Sequence, residues 1–140
     1  MRKAKPRDTP CYCIRFRRAA NALTKFYDRA FEPLQLTVSQ FSLLNDIKLL
    51  ETCNKSRLAA SAGLDRTTII RNLGTLLEKG LVEELSGDRG RLIRLTEAGH
   101  AAVAEGLGPW KQAQAQIKAT IDLDGIEGFM KILEKIEALA

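Results

Sequence analysis

Apolar residues recur at helical spacing along most of this chain, so the pattern predicts a mainly α protein. Phe16, Ala20, Leu23, Tyr27, Ala30, Phe31 and Leu34 form one stripe. That stripe predicts a long first helix beginning near Pro10, which a first turn tolerates, with Pro33 helping to end it. Thr37-Val38-Ser39-Gln40 has the form of a capping box, the Thr37 hydroxyl accepting from the helix start while Gln40 reaches back. Phe41, Leu44, Ile47 and Leu50 continue that second helix. Asn54 caps a short third helix through about Ala62, which Gly63 stops.

Asp65 is the next N-cap, setting a carboxylate on the positive end of a helix dipole. Ile69, Leu73, Leu76 and Leu77 give this fourth helix its buried face, and Lys79-Gly80 closes it. Its opposite face shows Thr67, Arg71 and Thr75, flanked by Thr68 and Asn72. Residues 81–85 and 91–95 read as short strands joined by the turn 86–90. Thr96 caps a long helix running towards Ile121, with a kink or a break expected at Gly106, Gly108 and Pro109. Asp124-Gly125-Ile126-Glu127 opens a last helix, striped by Ile126, Phe129, Met130, Leu133, Ile136 and Leu139.

A short helix, a Gly-containing turn, a second helix and a hairpin, over residues 58–96, make a helix-turn-helix followed by a β-wing. The expected fold is therefore a mainly α (α+β) winged helix-turn-helix of about six helices, with a two- or three-stranded wing. At 140 residues it forms one domain. Within it, 36–96 is the winged helix-turn-helix region, and 1–34 with 97–140 is a helical region. The terminal helices are amphipathic, and three short helices with a wing offer little surface to cover them. A second copy of the chain, meeting residues 11–34 and 110–140, is the expected cover.

Charge gives the fourth helix a use. The net charge of +5 points to an anionic partner, nucleic acid before membrane. A helix reads base edges in the major groove with polar side chains near its N-terminus. Arg66, Thr67, Thr68, Arg71 and Asn72 offer these, Arg suiting guanine and Asn suiting adenine. Arg89 and Arg91 sit on the Gly-flanked hairpin turn, where a narrow minor groove would attract them. Thr37, Ser39 and Gln40, at a helix N-terminus, suit backbone phosphate. A basic arm (Arg2, Lys3, Lys5, Arg7, Arg15, Arg17, Arg18) is either a solvated tail or a further phosphate contact. A winged helix that contacts only protein is the rival reading, and the basic face of the fourth helix is what separates the two.

Six segments together resemble the MarR-type winged-helix transcription regulators, over nearly the whole chain. They are Leu36-Thr37-Val38-Ser39-Gln40-Phe41, Leu64-Asp65-Arg66-Thr67-Thr68, Arg71-Asn72-Leu73, Leu77-Glu78-Lys79-Gly80-Leu81-Val82, Asp88-Arg89 and Leu95-Thr96-Glu97-Ala98-Gly99. The resemblance implies an intertwined homodimer that binds a pseudo-palindromic double-stranded DNA operator. It implies a repressor, released by a small-molecule effector or by oxidation. It also implies an ion pair from Asp88 to a wing arginine, and a ligand crevice between the DNA-binding lobe and the dimer helices. The wing is about one residue shorter than is usual in that family.

Three cysteines, at 11, 13 and 53, make no disulfide framework, and with His100 as the lone histidine neither zinc nor another cofactor is expected. Cys13 reads as a small buried hydrophobe. In the hydroperoxide-sensing branch of the resembled family a reactive cysteine stands near the start of the first helix. Cys13 matches that place and Tyr27 matches a thiolate-bonding tyrosine, with Arg17 where a second tyrosine would stand. Trp110 is either packed in the core or dimer interface, or a wall of the ligand crevice. No nucleophile elbow, phosphate-cradling loop or paired-carboxylate setting suggests an enzyme. With no membrane-length apolar run and no signal-peptide pattern, a cytoplasmic protein is expected.

Overall fold

A computed structural model of the chain describes residues 6–88, 90–122 and 125–140. Helices α1 (Tyr12–Phe31), α2 (Val38–Leu50), α3 (Lys55–Ala62) and α4 (Arg66–Glu78) come first. Strands β1 (Val82–Gly87) and β2 (Gly90–Leu95) follow, then α5 (Glu97–Ile121) and α6 (Ile126–Glu137). A single 3-10 turn, Glu32–Leu34, follows α1 and carries Pro33 at its start. The order is that of a winged helix-turn-helix.

The expected caps form. Thr37 Oγ accepts from the Gln40 amide, and the Gln40 side chain accepts from the Thr37 amide, both at 3.2 Å. Asn54 accepts from Arg57 at 2.8 Å, and Thr96 from Gly99 at 3.1 Å. Gly63 ends α3 at a φ of 63°, a left-handed backbone that glycine adopts without steric cost.

The strands pair antiparallel, Val82 opposite Leu95 and Gly87 opposite Gly90. Both run further into the tip than 81–85 and 91–95, the ladder reaching Gly87 and Gly90. Among the described residues the sheet has two strands. Cys53, after α2, adds an isolated bridge to Ile93, its carbonyl accepting at 2.7 Å. That bridge pins the wing to the end of α2.

One core joins these pieces. Phe31 of α1 stacks on Phe41 of α2 with ring centroids 4.7 Å apart. Leu44, Ile47, Leu58, Ile69, Leu73 and Leu76 bring α2, α3 and α4 together, and Ile93 and Val103 close it from β2 and α5. Each fully buried aliphatic of this kind stabilises by about 1.5–3 kcal/mol.

The expected break in α5 is absent. The helix is continuous with Pro109 inside it, so the kink is what remains of that expectation. Gly106 is small for a tertiary reason: a Cβ there would lie 2.3 Å from Cε2 of Phe41. The Asp124 cap falls outside the described residues. Helix α6 fully buries none of its side chains within the chain: Ile126, Phe129 and Leu133 are half-buried, and Met130, Ile132, Ile136 and Leu139 are exposed. Tyr12, Ile14 and Phe16 at the start of α1 are exposed too. Among the described residues, no helix is long and apolar enough to cross a membrane.

Candidate nucleic-acid interface

Helix α4 is built to present its N-terminal half. Asp65 accepts from the Thr68 amide at 3.1 Å and from the Thr68 hydroxyl at 2.6 Å. Those bonds from Thr68 hold the Asp65 carboxyl below the usual carboxylate range. Ile69, Leu73 and Leu76 are fully buried and fix the rotation of the helix. Arg66, Thr67, Ile70, Arg71 and Gly74 therefore face outward, all exposed. The acidic residue of that side, Glu78, lies at the far end of the helix.

The five side chains expected to read bases do not stand together. Arg66, Thr67 and Arg71 share the outward face. Thr68 is half-buried, with its hydroxyl engaged by Asp65. Asn72 is half-buried as well, and stands about 100° around the helix from Arg71 on the flank it shares with Thr68. Thr68 and Asn72 are thus the flanks that the helical spacing made them. Ile70, missed in the sequence, occupies the face instead.

The wing also differs from expectation. Arg91 lies in β2, opposite Ser86. Its Nη1 donates to Oε2 of Glu84 at 2.8 Å, and the ion pair expected between Asp88 and a wing arginine involves Arg89 as well, outside the described residues. Glu84 also lies 4.0 Å from Nζ of Lys55 and so bridges β2 to the first turn of α3. Asp88 is exposed at the tip, and Arg89 falls outside the described residues. With Arg91 mostly exposed, its pair with Glu84 contributes at most about 1 kcal/mol, and a phosphate can compete for it. Lys55 and Arg57, at the start of α3, are further cations beside this region that the sequence reading did not single out. Their signal was the charge of a helix-turn-helix first turn.

At the start of α2 the expected phosphate contacts are largely occupied. Thr37 and Gln40 spend their side chains on the capping box, and the Val38 amide donates to Asp28 at 2.8 Å. A carboxylate already sits on the positive end of this helix. Ser39 alone of the three is exposed.

Away from the outward face of α4 lies a pocket of about 300 Å³ between α1, α2 and α5. Tyr27, Val38, Phe41, Ser42, Asn45, Leu107 and Trp110 line it, none of them charged. Trp110 is thus a pocket wall. The Tyr27 hydroxyl donates to Gln114 of α5, and burial raises its pKa.

The cysteines divide differently from expectation. Cys13 is exposed in the first turn of α1, not buried, while Cys53 is the buried one. Burial pushes the Cys53 thiol up, against a smaller opposing effect of Arg57. Within one chain Tyr27 does not meet Cys13, since it lies fourteen residues on along the same helix, a rise of about 21 Å.

No family model matches the chain. Solved structures do. The M. tuberculosis transcriptional regulator MosR is 36% identical, with 94% of this chain and 98% of that one covered at a TM-score of 0.78. MosR in complex with DNA is similar at 0.77, over 92% of this chain and 98% of that one. E. coli MarR, as a mutant bound to operator DNA, shares the fold at 22% identity and a TM-score of 0.79, covering 86% and 89%. B. bronchiseptica BpsR shares it at 18% and 0.82, covering 96% and 99%. Identity of 36% along nearly the full length of both chains, on a fold shared with MarR, assigns the protein: it belongs to the MarR family of winged-helix transcriptional regulators.

Proposed function

We propose that the chain acts as a homodimeric, sequence-specific repressor that binds a pseudo-palindromic DNA operator and is released by a small ligand. The observation that carries this is the outward face of α4, where Arg66, Thr67 and Arg71 stand exposed behind the Asp65 cap. Arg66 and Arg71 are suited to guanine edges, and Ser39 and Arg91 to phosphates. Arg89 belongs to the proposed wing contact by its sequence position alone. The DNA complexes of MosR and MarR support this use of the fold. A second copy covers the apolar side chains exposed on α1 and α6, and two-fold symmetry then sets the two α4 helices about one DNA turn (~34 Å) apart. Arg71→Ala is expected to weaken specific binding by about 1–3 kcal/mol with the fold intact. Fluorescence anisotropy on duplexes selected from a random pool measures it. Unchanged affinity would favour a protein-interaction module instead.

The uncharged pocket beside Trp110 is the proposed effector site, and its lining suits a planar, neutral molecule stacked on aromatic rings and hydrogen-bonded by Ser42 or Asn45. BpsR, whose DNA binding is regulated by 6-hydroxynicotinic acid, supports effector control in this fold. A ligand that favours another α4 spacing ~100-fold weakens operator binding by about 2.7 kcal/mol. Trp110 is the single tryptophan, so its fluorescence reports occupancy, and a ligand that releases DNA without moving that signal acts elsewhere. Thiol control through Cys13, favoured by its exposure, is the second reading. Dilute peroxide followed by the same anisotropy assay separates it, since oxidised Cys13 with unchanged affinity removes the sensor role.

A further inference from the structure

We infer that Ile70 reads the 5-methyl group of a thymine in each operator half-site, with Gly74 as the gap that lets α4 approach. This rests on the DNA-binding reading above. Ile70 is 46% exposed, while the aliphatic side chains at 69, 73 and 76 of the same helix are at most 1% exposed. It is thus not a displaced core residue. It stands one turn beyond Arg66 and Thr67, next to Arg71, in the half of the helix that enters a groove first. An apolar protein partner seated on Ile70 would have to bury those two guanidinium groups, at a high desolvation cost. Duplex DNA meets both demands at once. Phosphates and guanine edges suit the arginines, and the thymine methyl is the apolar group that base pairs display in the major groove.

Gly74 points the same way by a separate observation. A glycine in a helix interior is destabilising by about 1 kcal/mol relative to alanine. Nothing in the chain requires it, because a Cβ at Gly74 would meet no atom within 4 Å. It lies one turn past Ile70 on the same exposed face. Its smallness leaves space for the DNA itself.

The test replaces each thymine of a selected operator duplex by deoxyuridine, which deletes the methyl and leaves the base pair's hydrogen-bonding edges unchanged. At one position per half-site the wild-type protein should lose about fourfold in affinity, and about 15-fold when both half-sites are changed. Ile70→Ala should bind the thymine duplex correspondingly more weakly and show no loss at that position. Gly74→Ala should weaken binding to every duplex without lowering thermal stability. Equal sensitivity of wild type and Ile70→Ala to deoxyuridine at all positions overturns the inference while leaving the DNA-binding reading intact. Absence of binding to any duplex overturns both.

Discussion

At the scale of single residues, contact geometry decides what each side chain is for, and composition does not. Gly106 and Gly108 look alike in the sequence, two helix-weakening glycines before a proline. A methyl added at Gly106 collides with the Phe41 ring, which is itself stacked on Phe31, whereas one added at Gly108 meets nothing within 4 Å. Overpacking costs about 1–3 kcal/mol, and alanine returns about 1 kcal/mol of helix propensity. Gly106→Ala should therefore destabilise by up to about 2 kcal/mol in urea melts, and Gly108→Ala should stabilise by up to about 1 kcal/mol. Equal effects at both sites would mean that the Phe41 contact is not tight. The same logic sorts the arginines: Arg71 stands unencumbered on the α4 face, and Arg91 is shared with Glu84.

At the scale of elements, the caps were legible because they are local. Thr37, Asn54, Asp65 and Thr96 each bond an amide three residues on, and a window of four residues contains the whole interaction. What stayed hidden depends on distant partners: Asp28 closing the start of α2, Glu84 joining Lys55 to Arg91, and Phe41 keeping Gly106 small. For the same reason the outward face of α4 was half legible. Periodicity gives the buried side of α4, but the partial covering of Asn72 and the exposure of Ile70 on the outward face depend on the folded surroundings. The Asp65 cap has a pH signature. Its folded carboxyl titrates below its unfolded value, so it stabilises above the unfolded pKa of about 3.9 and loses that contribution as pH falls through the folded value. Asp65→Asn should fall below wild type at neutral pH and converge on it below about pH 4. A constant difference between pH 7 and pH 3, followed by circular dichroism, would show that the charge of Asp65 has no role in the cap.

At the scale of the whole molecule, the chain has a well-filled centre and poorly covered ends. The twelve-residue α6 fully buries none of its side chains, and an isolated helix of that length is marginal in water. The protein should therefore run as a dimer in light scattering at micromolar concentration, and Met130→Glu with Ile136→Glu should shift it towards monomer and loosen α6. A monomeric wild-type mass would remove the two-fold operator geometry along with the dimer. One further consequence comes from the Cys53–Ile93 bridge and the Lys55–Glu84–Arg91 link. The paired backbone bonds of Cys53 and Ile93 fasten the hairpin to the helices, with the Lys55–Glu84 contact a weaker second link, so it behaves less as a finger that gropes for DNA than as a rudder fixed to the hull. Any effector that turns one reading helix must carry its wing along, and each half of the dimer will engage or leave the operator in a single movement.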